Sequence, residues 1–165
     1  MGLLKVAEDW IFLADLEKRL VFPVDIVVTS LRPDIVVYSH SSSTVIMVEL
    51  TCPCEENIEV QHNNKLMRYQ DLKADCEVKG WKVYLFAVEV GARGYTGQSL
   101  SSCLKSLGLR NRPLRSCLEG AGDEALRTSF WVWFLKENDS WDKVGFSERK
   151  QQKKRKQQQV TEVIN

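Results

Sequence analysis

Two carboxylates and one lysine stand in surroundings that give them no ordinary reason to be there. Asp34 follows Pro33 and opens the β-branched run Ile35-Val36-Val37. Glu49 closes the apolar run Val45-Ile46-Met47-Val48. A carboxylate buried in such company costs several kcal/mol unless something pairs with it. Strand alternation puts Glu49 on one face with Val45, Met47 and Thr51. Two carboxylates on either side of one turn suit a shared divalent cation, which takes oxygen ligands and activates water. The plainer alternative is an aspartate capping a turn and a glutamate in a core salt bridge. Lys65 is the third residue. The stripe Ile58, His62, Lys65, Tyr69, Leu72 and Cys76 recurs at helical spacing, and its later part is apolar. A lysine on that stripe either meets an anion, such as Glu49 or a bound phosphate, or packs its methylenes and sends its ammonium to solvent.

These residues need elements to hold them. Residues 3–20 are predicted as a helix, because Leu3, Val6, Ala7, Trp10, Leu13, Ala14 and Leu16 recur at three- and four-residue steps before Pro23. Residues 24–29, Ile35–Ser39 and Thr44–Thr51 read as strands rich in β-branched residues, separated by the turns Arg32-Pro33-Asp34 and Ser41-Ser42-Ser43. Residues 59–79 read as one long helix that Gly80 stops, followed by a strand over 81–90 and the glycine-flanked turn 91–94. Helices follow at 99–107 and at about 114–135, the second interrupted near Gly120-Ala121-Gly122. Short links make the first three strands an antiparallel meander. A long helical crossover then gives a mixed α/β sheet with helices on both faces.

Composition bounds the rest. With 165 residues, 44% of them hydrophobic, the chain supports one domain with a real core. That domain is expected over residues 1–146, with a basic Gln/Lys/Arg-rich tail over 147–165, disordered or a solvated helix. The formal net charge of +1 hides a split, because Arg149, Lys150, Lys153, Lys154, Arg155 and Lys156 crowd into the tail and leave the body mildly acidic. No apolar run approaches the roughly 20 residues of a membrane span. Charges interrupt residues 1–22, so no signal peptide and no membrane partner are expected. Five cysteines cannot all pair, and reduced thiols inside the cell are the expectation, with Cys76, Cys103 and Cys117 as small core residues. Trp10, Trp131 and Trp133 are expected in core packing, and Glu89 in a structural ion pair with Arg93. Glu8, Asp9 and Glu17 are expected on a solvated helix face.

The ordered set Pro33-Asp34, Glu49-Leu50-Thr51 and Lys65-x-x-x-Tyr69 resembles the PD-(D/E)XK nuclease superfamily. The stretches RPDIVVYS, VIMVELTCPCEENI, KLMRYQDL, GWKVYLFAVEVGARGYTGQSL and LKSLG resemble more closely the restriction-like domain that accompanies reverse transcriptases in animal retroelements. The aromatic residues Phe130, Trp131, Trp133 and Phe134 fit the same pattern. The resemblance implies an α/β fold with a restriction-endonuclease-like core, namely a helix, a three-strand meander, a helix and a fourth strand, here with extra C-terminal helices. It implies a metal-dependent DNA endonuclease in which Asp34, Glu49 and the Leu50 carbonyl hold Mg²⁺ or Mn²⁺. Lys65 would supply the charge that the superfamily takes from a lysine at the position of Thr51. Tyr69 would orient Lys65 or bind phosphate, with Gln61 as a weaker helper. Arg93 and the tail residues Lys153, Lys154, Arg155 and Lys156 are the expected nucleic-acid contacts. The implied partners are DNA and a reverse transcriptase within a longer polyprotein, with self-association left open and a nuclear address available in the tail. The threonine at 51 motivates the alternative, a catalytically inactive nucleic-acid-binding or protein-interaction module on the same fold.

Overall fold

Four strands form one sheet in chain order: Ile11–Ala14 (β1), Ile35–Ser39 (β2), Thr44–Thr51 (β3) and Lys82–Glu89 (β4). The computed structural model describes residues 2–16, 19–54 and 58–137. β1, β2 and β3 run antiparallel, and β4 lies parallel to β3. The crossover between them carries two helices, Ile58–Arg68 (α1) and Gln70–Val78 (α2). After β4 come Gln98–Leu107 (α3) and Asn111–Glu137 (α4). The molecule is thus a mixed α/β protein.

β3 is central, and its alternation sorts the core. Val45 and Met47 face one side, where Val36, Tyr69, Leu72 and Cys76 pack with Phe22 and Ile26. Ile46 and Val48 face the other, against Val88, Cys103, Leu100 and Leu107. Cys76 and Cys103 are buried free thiols, and burial pushes each up to about 11. Helices therefore cover both faces, which is why six consecutive residues of β3, Thr44 to Glu49, are buried.

β2 and β3 keep the predicted bounds, but the N-terminal third does not follow its periodicity. Residues 3–20 hold a 3-10 turn at Leu3–Lys5 and the edge strand β1 instead of a helix. The apolar residues of that segment serve two different faces. Leu3 and Trp10 pack with the α3 side, whereas Leu13 and Leu20 pack with the α2 side, so no single stripe exists to drive a helix. Residues 24–29 form no strand. Pro23 carbonyl accepts from Ile26 N and Val27 N, each at 3.1 Å, and the resulting turn drives Ile26 and Val27 into the core while Val24 and Val28 stay exposed.

The predicted long helix is two, joined at Tyr69, and Gly80 stops the second at φ +86°. α4 runs unbroken through residues 120–122. Gly122 is there for contact, since a Cβ on it would lie 2.6 Å from the Gly94 carbonyl oxygen. Residues up to Leu126 form one compact unit, and a second begins at Arg127. Within the second, the Phe130 ring pairs with Trp133 at 6.0 Å and with Phe134 at 6.2 Å between centroids, and Trp131 meets Phe134 edge-on at 5.8 Å. Trp131 and Trp133 are exposed, contrary to the expected core packing, as is Cys117. Trp10 is half-buried and donates its indole N–H to Leu4 carbonyl at 2.9 Å. Among the described residues no helix is long and apolar enough to cross a membrane.

Candidate active site

The polar site forms where β3 outruns β2. The β2–β3 ladder ends at the Ile35–Val48 pair, so Glu49, Leu50 and Thr51 extend past it toward Asp34. The two carboxylate residues then lock the strand ends together. Asp34 N–H donates to Glu49 Oε2 at 3.3 Å, and Leu50 N–H donates to Asp34 Oδ2 at 2.7 Å. Behind them, Asp15 N–H donates to the Asp34 carbonyl at 2.7 Å and ties β1 to the same corner.

α1 crosses over this corner and delivers the cation. Lys65 Nζ donates to Glu49 Oε1, so the lysine on the apolar stripe turns inward rather than to solvent. Glu49 is only 3% exposed, and the ammonium is the compensation such a carboxylate requires. Asp34 is less well served. Burial pushes its carboxyl above the usual aspartate value, the Leu50 N–H opposes that, the Glu49 charge adds to it, and Lys65 pulls it back. Two carboxylates thus share one ammonium, an excess of negative charge that a divalent cation would offset.

Tyr69, one turn beyond Lys65, is fully buried. Its hydroxyl donates to Arg32 carbonyl at 2.9 Å, two residues before Asp34. Burial and the Glu49 carboxylate both hold the phenol in its protonated form. Thr51 is half-buried at the end of β3, its carbonyl accepting Val90 N–H at 3.1 Å, and it supplies no charge. Gln61 lies on α1, and its side chain falls outside the described residues. Arg93 is exposed in the turn after β4, while Lys153, Lys154, Arg155, Lys156, Glu17 and Trp141 fall outside the described residues.

Two further groups join the corner that the sequence did not assign to it. Glu89, at the end of β4, is 2% exposed, and its Oε1 lies 2.9 Å from His62 Nδ1. Glu89 thus has a partner on α1, at a position the helical stripe had already marked. Only the register of β4 against β3 and α1 makes that pairing visible. Asp9, expected on a helix face, lies in no helix. It caps the β2–β3 turn, accepting from Ser39 Oγ at 2.6 Å and Ser41 N–H at 2.9 Å, and those hydrogen bonds hold its carboxyl well below the usual range.

The donor set at Asp34 and Glu49 is all oxygen and carries net negative charge, which fits a hard divalent cation with the Leu50 carbonyl as a third oxygen. Among the described residues no group of three or more His, Cys, Asp or Glu side chains gathers for a metal, so a cation here would rest on two side chains and backbone. No protein-family model and no curated protein matches the chain.

Proposed function

We propose that the chain is a metal-dependent DNA endonuclease on a restriction-endonuclease-like core, akin to the domain that accompanies reverse transcriptases in animal retroelements. The observation that carries this reading is the meeting of Asp34, Glu49 and Lys65 at one strand end, from three separate elements. The antiparallel three-strand unit, the helical crossover and the parallel fourth strand also support it. The leading helix of that core has no counterpart among the described residues, where a 3-10 turn and β1 stand instead.

Asp34, Glu49 and the Leu50 carbonyl would hold Mg²⁺ or Mn²⁺. When bound, the cation lowers the pKa of a ligated water and offsets charge on the phosphate. The protein supplies the rest. Lys65, reached from α1, brings its ammonium to the corner where the phosphoryl oxygens gain charge, in place of the lysine absent at Thr51. Tyr69 fixes the helix that carries Lys65 against the backbone before Asp34. Arg93 and the basic tail contact the phosphate backbone away from the scissile bond, and they fix position rather than sequence.

One experiment tests this. Purified protein is incubated with single-stranded, duplex and branched DNA in Mg²⁺ or Mn²⁺, beside Asp34→Ala and a chelator control. Cleavage that falls at least a hundredfold in the variant and stops with chelator is expected. Intact DNA throughout, or an Asp34→Ala protein that cleaves like wild type, sinks the proposal. The threonine at 51, together with a Glu49 already held by Lys65, favours one second reading, a DNA-binding module without catalysis. DNA retained but uncut, with no divalent cation binding in a titration, selects it.

A further inference from the structure

We propose that His62 and Glu89 form a proton-delivery pair that protonates the leaving oxygen of the phosphodiester; this deepens the endonuclease reading and rests on it. Glu89 is the observation that calls for a role. It sits at the end of β4 with 2% exposure, and its carboxylate meets the ring of a histidine. An apolar residue there would serve the fold as well or better, because a buried ion pair returns little net stability.

The geometry gives the pair both an inner and an outer end. Glu89 Oε1 engages His62 Nδ1 at 2.9 Å, which fixes the ring and leaves Nε2 as its other nitrogen. The histidine is 34% exposed while its carboxylate is sealed. A buried carboxylate that orients an imidazole whose far nitrogen can meet substrate is the arrangement acid–base hydrolases use.

The position is right as well. Glu89 pairs in register with Thr51 and Glu49 with Ala87, so both carboxylates lie on one sheet face, diagonal to each other across β3 and β4. His62 and Lys65, three residues apart on α1, share a helix face and pair with those two carboxylates in parallel. The corner therefore holds two acid–base pairs side by side. The Asp34–Glu49–Lys65 group serves the attacking side of a phosphate, and the His62–Glu89 group serves the departing side.

The step balances. A water oxygen bonds to phosphorus as the bond from phosphorus to the leaving ester oxygen breaks. The water's proton passes to solvent, and an Nε2 proton of the His62 ring passes to the leaving oxygen, which departs as an alcohol. The ring regains a proton from solvent, and nothing is oxidised or reduced.

The test compares two duplexes in Mn²⁺, identical except that one carries a bridging sulfur in place of the leaving oxygen at the bond the wild-type chain cuts. A thiolate departs without a proton. His62→Ala is expected to cleave the oxygen substrate about 10²–10⁴-fold more slowly. On the sulfur substrate it should stay within about threefold of wild type. Glu89→Gln should show the same pattern with a smaller loss on oxygen, and His62→Gln serves if the alanine variant does not fold. An equal loss on both substrates, or no loss on either, overturns the proton-delivery role while leaving the nuclease standing. A wild-type chain inert toward both duplexes overturns the nuclease reading and the pair's role with it.

Discussion

At Asp34 the burial that suits a metal site works against the fold. Its carboxyl is pushed above the ordinary value of 3.8, chiefly by desolvation and next by the Glu49 charge, against the pull of the Leu50 N–H and Lys65. A raised folded-state pKa means that the native chain holds this proton more tightly than the unfolded one. Stability then declines as pH rises through the window above 3.8 and stays lower at neutral pH, where the carboxylate is ionised. Asn at this position cannot ionise, yet it keeps an oxygen for the Leu50 N–H. Asp34→Asn is therefore expected to melt above wild type at pH 7, by roughly 2–4 °C for each kcal/mol relieved. The gap should close on acidification toward the unfolded-state pKa. The same variant should lose cleavage and lose the thermal stabilisation by Mn²⁺, which at a hundredfold excess over Kd is worth about 2.7 kcal/mol for wild type. Thermal melts of both proteins across pH, with and without metal, check this. A variant that melts below wild type at pH 7 and still responds to Mn²⁺ contradicts it.

Among the elements, the joint between α1 and α2 does the positioning. Tyr69 interrupts the helix, sits fully buried under it, and pins it by a hydroxyl bond to the Arg32 carbonyl. Tyr69→Phe keeps the ring and leaves that carbonyl without its partner. A loss of about 0.5–1.5 kcal/mol in denaturant melts is expected, with a several-fold fall in the single-turnover cleavage rate as Lys65 and Asp34 lose their common brace. A variant unchanged in both measurements would remove the brace from the account. Gly122 on α4 offers a separate test away from the site. Its Cβ would clash with backbone at 2.6 Å, so Gly122→Val is expected to destabilise the chain by about 1–3 kcal/mol with unaltered cleavage per folded molecule, measured by denaturant melts beside an activity titration. The legible parts of the fold were those whose residues serve a single surface. Thr44–Thr51 is apolar on both faces apart from Glu49 and reads as a central strand, and the 58–76 stripe marked Lys65 as a lysine that either meets an anion or snorkels to solvent. Residues 3–20 misled because Leu3 and Trp10 belong to one cluster and Leu13 to another. Residues 24–29 misled because Ile26 and Val27 reach the core from a turn. His62 and Glu89 lie far apart in sequence, and no local pattern links them before β4 is placed beside β3.

On the scale of the whole molecule, charge is divided between an acidic body, which holds the proposed catalytic corner, and a basic tail. Residues 1–146 carry more acidic than basic side chains, and the corner itself sets Asp34, Glu49 and Glu89 against Lys65 and His62. A polyanion approaching that corner gains little from the body's own field. On the proposed reading, most of the affinity for DNA would come from the six basic residues between 149 and 156, with counterion release. Each phosphate neutralised adds about 0.9 to the slope of log affinity against log salt for duplex DNA. Replacing Arg149, Lys150, Lys153, Lys154, Arg155 and Lys156 by glutamine should weaken binding at low salt and flatten that slope by as much as about 5. Because the corner is untouched, cleavage at saturating DNA should hold within about twofold, whereas Lys65→Met should reduce cleavage and leave the slope nearly as it was. Fluorescence anisotropy across a salt series, paired with single-turnover cleavage, separates the two. A glutamine tail with the wild-type slope would place the DNA-holding surface on the acidic body instead.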